Sequence, residues 1–217
     1  MPQLRLPTAD TTASLHGAGE TVVVLGHGAG GTRQTPMLVS LAEALAASGR
    51  AACLYNFPYA ERGARRPDPP KALEAIAREA AEVALAKTGA THVVMGGRSM
   101  GGRIASQVVA GGARADGLAF FAYPLHPPGR PEKLRDAHLP AAAASAHMLF
   151  VQGTRDAFAR EDLLQALVTR LEDRAELHRV ESADHSFRVL KRSGRTAEDV
   201  EKEVETTLLA WLEKHGL

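Results

Sequence analysis

The sequence is poor in several features that define other classes of protein. Cysteine occurs once, at Cys53, which excludes an internal disulfide framework and any metal site built from several cysteines. An excess of charge of one sign is also lacking, because 26 Lys and Arg residues stand against 25 Asp and Glu residues for a formal net charge of +1. That balance argues against a nucleic-acid partner, because a domain that binds nucleic acid is expected to carry a net positive charge.

Long apolar segments are lacking as well. The longest runs, TVVVL and LAFFAYPL, are far too short to span a bilayer. The first residues, MPQLRLPTAD, do not contain the apolar stretch of a signal peptide. We therefore expect a cytoplasmic protein with no membrane partner, folded as one domain over residues 1–217.

Short apolar runs alternate with helical patterns along most of the chain. The predicted strands are 21–26, 51–57, 91–96, 117–123, 147–153 and 175–181, and the predicted helices are 36–48, 70–88, 99–110, 160–173 and 196–215. Most of these strands are continuously apolar, which is typical of strands buried on both faces of a parallel sheet. The pattern predicts a three-layer α/β/α sandwich with a mostly parallel sheet of six to eight strands, to which the residues before Thr21 add one or two short antiparallel strands.

The first glycine-rich motif is G-H-G-A-G-G at 26–31, directly after a predicted strand. Its spacing satisfies the dinucleotide-binding pattern, so a dinucleotide-binding protein using Gly26–Gly31 is one alternative. That function requires an acidic residue at the end of the next strand, where Asn56 to Tyr59 stand instead. No Gly-Lys-Ser/Thr follows the motif, which excludes a P-loop.

The second motif, Gly97-Arg98-Ser99-Met100-Gly101, lies between a predicted strand and a predicted helix. This is the context of a nucleophile elbow, in which a sharp turn exposes the serine hydroxyl above the sheet. Small residues two positions before and after the serine let the strand and the helix close around that turn. The amide of Met100 then faces the oxyanion that develops on the attacked carbonyl.

Two partners of Ser99 follow in the chain order that such a fold requires, first an acid and then a histidine. Asp156 lies just after the predicted strand 147–153, and His185 follows the last predicted strand. Ser99, Asp156 and His185 are therefore the candidate catalytic residues, with Asp184 as the alternative acid.

The motifs together resemble the α/β-hydrolases, specifically a small lid-less branch related to dienelactone hydrolases. The matching segments are L-G-H-G-A-G-G, N-F-P-Y, G-G-R-S-M-G-G-R, Y-P-L-H-P-P-G, F-V-Q-G-T-R-D-A-F and A-D-H-S-F. The resemblance implies an α/β-hydrolase fold without a cap domain and an oxyanion hole formed by the amides of Met100 and Ala29. Dienelactone hydrolases proper use a cysteine nucleophile where this chain has Ser99, so that activity is not implied.

The sequence thus predicts a serine esterase or thioesterase acting on a small-molecule ester, with no metal and no other cofactor. A non-catalytic interaction module on the same fold is the second alternative. Candidate substrate contacts lie on loops expected at the same sheet edge: His27, Gly30, Tyr59, Arg98 and His126. For His27, the alternative is that the ring holds the shape of its loop. The arginine-rich loop 61–66 either contacts an anionic substrate or is a solvated surface.

Overall fold

The computed structural model describes residues 3–217. Its strands are β1 Gln3–Leu6, β2 Thr11–His16, β3 Thr21–Gly26, β4 Ala51–Tyr55, β5 His92–Arg98, β6 Gly117–Phe121, β7 His147–Gly153 and β8 Ala175–Val180. Its helices are α1 Pro36–Ala47, α2 Pro58–Glu61, α3 Pro70–Thr88, α4 Met100–Ala110, α5 Leu139–Ala143, α6 Glu161–Arg170 and α7 Ala197–Lys214. The strands β3 to β8 and the five longer helices alternate as the sequence predicts, whereas the short helices α2 and α5 lie in stretches that the sequence analysis did not assign to helices.

All eight strands form one sheet in the order β1-β2-β4-β3-β5-β6-β7-β8. The pairs β1–β2 and β2–β4 are antiparallel, and the other neighbours are parallel. Both the mostly parallel sheet and the additional N-terminal strands are therefore confirmed.

The sheet has a hydrophobic core on each face, which makes the fold a three-layer sandwich. Along β3, Val22 and Val24 belong to the core that packs against α3 and α4, whereas Val23 and Leu25 belong to the core that packs against α1 and α7. Successive side chains of a strand point to opposite faces. Because both faces are covered, every residue of β3 is buried, and this explains the continuously apolar sequence.

Some predicted boundaries are wrong, and backbone geometry explains the differences. The strand predicted to reach residue 123 ends at Phe121, because Ala122 adopts a positive φ of 57°. The helix predicted over 160–173 ends at Arg170 and is followed by a separate 3₁₀ turn, because Glu172 has a φ of 54°. The strand predicted to reach residue 57 ends at Tyr55, and a short helix that the sequence analysis did not predict, α2, begins at Pro58.

The carboxyl ends of the parallel strands meet at one edge of the sheet. The loops after β3, β5, β7 and β8 begin there, and they carry the glycine motif, Ser99, Asp156 and His185. This edge is where open α/β sheets bind ligands. Within residues 3–217, none of the helices is long and apolar enough to cross a membrane.

The thiol of Cys53 is expected to resist alkylation in the folded protein. Cys53 lies in β4 and is completely buried, and desolvation raises the pKa of its thiol to about 12. Because the thiolate is the reactive form, Ellman's reagent at pH 8 should modify it only after unfolding. A native protein that reacts as fast as the same protein in guanidinium chloride would contradict the buried position of β4.

Candidate active site

The turn between β5 and α4 holds Ser99 in a strained backbone conformation. Ser99 has φ of 50° and ψ of −112°, and it stands between the last residue of β5 and the first residue of α4. Its amide donates a hydrogen bond to the carbonyl of Phe121 on β6, at 2.9 Å. Non-glycine residues with such angles persist only where the surrounding structure enforces them, and they cluster at functional sites.

Glycines are required around Ser99 because the backbone of β3 packs directly against this turn. A Cβ atom on Gly97 would lie 2.1 Å from the carbonyl oxygen of Gly26, and a Cβ atom on Gly101 would lie 2.1 Å from that same oxygen. Both distances are far below van der Waals contact. The spacing of the second motif therefore has a steric cause in the structure.

The substitution Gly101→Ala is expected to destabilise the fold, whereas Gly30→Ala is not. The alanine methyl group at 101 would force β3 and α4 apart. The expected loss in the free energy of unfolding is about 1 to 3 kcal/mol. Gly30 is a matched control, because no atom lies within 4 Å of a Cβ atom placed there. Urea denaturation of both variants measures the difference, and equal stabilities would contradict the packing described here.

A continuous chain of hydrogen bonds joins the three candidate catalytic residues. Asp156 Oδ2 accepts a hydrogen bond from His185 Nδ1 at 2.7 Å. Since Nδ1 carries that proton in the neutral imidazole, Nε2 is the acceptor. The Ser99 hydroxyl lies 2.9 Å from His185 Nε2 and donates to it. The structure thus brings together a hydroxyl, a ring nitrogen able to take its proton, and a carboxylate that fixes the tautomer.

Contacts between the loops after β7 and β8 bring Asp156 and His185 to each other. The Arg155 amide donates to the carbonyl of Ala183 at 2.9 Å, and Thr154 Oγ1 accepts from the Ser182 amide at 2.9 Å. Gly153 is needed at this contact, because a Cβ atom there would lie 2.4 Å from the Ala183 carbonyl oxygen.

The carboxylate of Asp156 is buried and receives two further hydrogen bonds. Gln152 Nε2 donates to Oδ2 at 2.5 Å, and the amide of Phe158 donates to Oδ1 at 2.7 Å. The alternative acid, Asp184, has a different role in the structure. Its Oδ1 accepts the amides of Ser186 at 2.8 Å and of Arg188 at 3.0 Å, so it holds the loop that carries His185.

That loop is a short hairpin, residues 183–189, which we call the histidine hairpin. A bridge pairs Ala183 with Val189, and the Phe187 amide donates to the Asp184 carbonyl at 2.9 Å. His185 thus lies on a segment that is fixed by its own hydrogen bonds beyond the end of β8.

Two side chains that contact the histidine hairpin were not predicted to do so. The ring of Phe158 stacks on the imidazole of His185, with ring centroids 4.2 Å apart and planes inclined by 27°. Arg98 Nη2 donates to the His185 carbonyl and to Ser186 Oγ, each at 3.2 Å. Burial lowers the pKa of Arg98, and the carboxylates of Asp156 and Asp184 oppose that change. Arg98 was predicted as a substrate contact, and in the structure its guanidinium holds the hairpin.

The loop after β3 presents the amide of Ala29 at the same edge. The Gly28 carbonyl accepts the Gly31 amide at 3.0 Å, and the Tyr59 hydroxyl donates to the Ala29 carbonyl at 2.8 Å. Because a peptide group is planar, the fixed Gly28 carbonyl also fixes the Ala29 N–H in the opposite direction. The amide of Met100 is the first in α4 and therefore has no acceptor within the helix.

Two of the predicted substrate contacts have buried rings with both nitrogens engaged by protein atoms. His27 is fully buried, with Nδ1 donating to the Gly28 carbonyl at 2.7 Å and Nε2 accepting the Phe57 amide at 3.1 Å. Burial lowers the pKa of His27, and the hydrogen bond to the Gly28 carbonyl opposes that change. The ring of His126 joins two loops, since Nδ1 donates to the Pro127 carbonyl and Nε2 accepts the Arg160 amide, each at 2.9 Å. Both rings thus shape the loops rather than face a substrate.

The other predicted contacts differ in exposure. Tyr59 is 2% exposed and reaches the site through its hydroxyl alone, whereas Gly30 is exposed.

In the arginine-rich loop, Arg62 forms an ion pair with Asp68 at 2.6 Å. Arg65 and Arg66 are exposed, and within residues 3–217 their side chains have no hydrogen-bond or ion-pair partner.

The geometry of the first glycine motif differs from a dinucleotide-binding turn. In such a turn the glycines open directly into a helix, whose N-terminus receives the pyrophosphate. Here α1 begins only at Pro36, after a connection that contains two hydrogen-bonded turns. Asn56, at the position where the dinucleotide pattern needs an acid, instead accepts the Arg33 amide at 2.7 Å and holds this connection in place.

Comparison with known proteins agrees with this architecture. The family model described as alpha/beta hydrolase domain matches residues 19–213, and the chain belongs to that family. An alpha-beta serine hydrolase homologue from Coxiella burnetii superposes with a TM-score of 0.74 at 17% identity, covering 95% of this chain and 96% of that one.

Two further solved structures have the same fold. A serine hydrolase without a lid from Xanthomonas campestris has a TM-score of 0.73 at 18% identity, covering 97% of this chain and 93% of that one. A dienelactone hydrolase from Anabaena variabilis has a TM-score of 0.72 at 18% identity, covering 98% and 95%. The lid-less α/β-hydrolase resemblance drawn from the motifs is therefore confirmed.

Proposed function

We propose that the protein is a serine hydrolase that cleaves small, exposed carboxylic esters or thioesters. The observation that supports this most directly is the unbroken hydrogen-bond chain from Ser99 Oγ through the imidazole of His185 to Asp156, with distances of 2.9 and 2.7 Å. A serine hydroxyl is a weak nucleophile until a base within hydrogen-bond reach can take its proton.

In the proposed acylation step, Ser99 Oγ attacks the carbonyl carbon of the ester while its proton passes to His185 Nε2. Asp156 keeps the imidazole in the required tautomer and stabilises the imidazolium that forms. The carbonyl oxygen becomes an oxyanion, which the N–H groups of Met100 and Ala29 stabilise. Each such donor contributes about 3 to 4 kcal/mol to transition-state stabilisation in characterised enzymes.

Collapse of the tetrahedral intermediate breaks the ester bond. The leaving alcohol or thiol takes the proton from His185, and the acyl group remains on Ser99. In deacylation, water attacks the acyl carbonyl, His185 accepts the proton of that water, and Ser99 departs with it as the leaving group. The carboxylic acid is released, and the three side chains return to their starting protonation states.

The restriction to small or exposed substrates rests on the connection between β6 and β7. This connection, residues 122–146, contains only the five-residue helix α5. No cap of helices therefore rises over Ser99 from this part of the described chain. We expect substrates to reach the hydroxyl from solvent without the opening of a lid.

A panel of matched substrates tests the proposed reaction. p-Nitrophenyl acetate and butyrate and a short-chain thioester should be hydrolysed, whereas the corresponding p-nitroanilide should be hydrolysed far more slowly. Failure to hydrolyse any ester or thioester, together with no labelling by a fluorophosphonate, would favour the non-catalytic module. Saturable quenching of NADH fluorescence would instead favour the dinucleotide-binding alternative.

A further inference from the structure

A cavity of about 400 Å³ lies beside the candidate active site, between α1, α7 and the histidine hairpin. Its wall is mainly apolar and is formed by Met37, Leu41, Phe187, Val189, Val200 and Val204. The volume is in the range of small-molecule sites, which run from roughly 300 to 1,000 Å³. None of the three candidate catalytic side chains lines it.

The charges around this cavity favour an anion. Arg188 and Lys191 line it from the hairpin and from the turn that follows, and both residues are exposed. Within residues 3–217, neither side chain forms a hydrogen bond or an ion pair with another residue. Their positive charges are therefore available to a ligand.

The other charged groups of the lining are mostly engaged. Glu205 accepts a hydrogen bond from Ser40, and Arg195 pairs with Glu203 and donates to the Glu181 carbonyl. Glu201 is the one acidic lining residue without a partner in the described part of the chain. The hydrogen bond from the neutral Ser40 hydroxyl leaves the charge of Glu205 in place, so three cations and two carboxylates line the cavity, with a net charge of +1. The two cations without a partner among the described residues, Arg188 and Lys191, lie together on the hairpin side of the apolar wall, away from the carboxylates of α7 in the chain.

We propose that this cavity binds an amphiphilic carboxylate, with an unbranched aliphatic chain along the apolar wall and the carboxylate at Arg188 and Lys191. The bound chain would contact Phe187 and Val189, on the same hairpin that carries His185. This inference goes beyond the proposed function, because binding in the cavity requires no chemistry at Ser99.

Isothermal titration with a homologous series tests the proposal on the intact protein. Hexanoate, octanoate and decanoate, each below its micelle concentration, should bind with one-to-one stoichiometry. The affinity should rise about fourfold per added methylene group, because each buried methylene contributes about 0.8 kcal/mol. Octylamine, which has a similar chain and the opposite charge, should bind at least about fourfold more weakly than octanoate, because two cations worth about 0.2–1 kcal/mol each attract the carboxylate and repel the ammonium group.

Matched variants locate the site. Met37→Trp fills the cavity from α1 and should abolish octanoate binding, whereas Val39→Trp, on the same helix and outside the lining, should retain it. The double variant Arg188→Ala/Lys191→Ala should weaken octanoate binding by roughly tenfold. Arg192→Ala/Lys202→Ala removes two exposed cations outside the lining and should leave the affinity unchanged.

The variant Ser99→Ala separates this proposal from the proposed function. Octanoate should bind Ser99→Ala as tightly as wild type, even if neither protein hydrolyses an ester. Loss of binding in Ser99→Ala would place the carboxylate in the active site and overturn the proposal. Absence of saturable binding, equal affinity for octylamine, or unchanged affinity in Met37→Trp would overturn it as well.

Discussion

Replacing Ser99 with alanine is expected to abolish labelling by a fluorophosphonate and to lower kcat for ester hydrolysis by roughly 10⁴-fold or more. The reason is that no other group in the proposed mechanism can form the acyl intermediate. Alanine keeps the Cβ atom of serine, so the backbone strain at the φ of 50° is unchanged and the melting temperature should stay within a few degrees.

Labelling followed by peptide mapping is the decisive measurement for Ser99. Ser48→Ala is the matched control, because Ser48 is exposed at the end of α1. This variant should be labelled by the fluorophosphonate and should hydrolyse esters as wild type does. A fluorophosphonate adduct on a different serine, or full activity in Ser99→Ala, would show that the nucleophile has been assigned wrongly.

The substitution Asp156→Asn is expected to lower kcat by roughly 10⁴-fold while preserving the shape of the site. The side-chain oxygen of asparagine can still accept the Phe158 amide, but its NH₂ group then faces the donors Gln152 Nε2 and His185 Nδ1. Two donors cannot bond to each other. The imidazole is therefore driven to the tautomer that carries its proton on Nε2, where it cannot accept the Ser99 proton.

Asp184→Asn provides the comparison, since both acids follow strand ends and lie close to His185. Asparagine at 184 retains an oxygen that can accept the Ser186 and Arg188 amides, so kcat should stay within a fewfold of wild type. Steady-state kinetics should also show non-additivity among Ser99, His185 and Asp156, whose combined substitution should cost little more than Ser99→Ala alone. A larger loss in Asp184→Asn than in Asp156→Asn would reverse the assignment of the two acids.

Much of this architecture was predictable because it rests on local patterns. Buried strands appear in the sequence as apolar runs, and glycine motifs follow two of them. The strand ends were therefore predictable, and with them the chain order of the candidate residues Ser99, Asp156 and His185. The contacts of Phe158 and Arg98 with the histidine hairpin could not be predicted, because they depend on the paths of the loops after β7 and β8 and on the position of those loops relative to the end of β5. A residue name and a strand end do not specify which way a loop turns.

Backbone exceptions account for most of the remaining differences. Ala122 and Glu172 adopt positive φ, and neither residue type signals it in the sequence, so the predicted strand and helix ran too long. The rings of His27 and His126 were equally ambiguous. A histidine next to a site can face a ligand or satisfy buried backbone groups, and only the position of its neighbours decides between the two.

The close backbone contact of Gly26 with Gly97 and Gly101 has a consequence for inheritance. These glycines are demanded by the geometry of the turn whether or not a hydroxyl stands on it, whereas Ser99 is free of that steric demand. A descendant that exchanged Ser99 for alanine would keep the turn, the sheet and the glycine signature intact. The proposed catalysis could therefore be lost in one mutational step that leaves the architecture untouched. The glycine pattern would then still indicate the fold, whereas only the hydroxyl indicates the proposed chemistry.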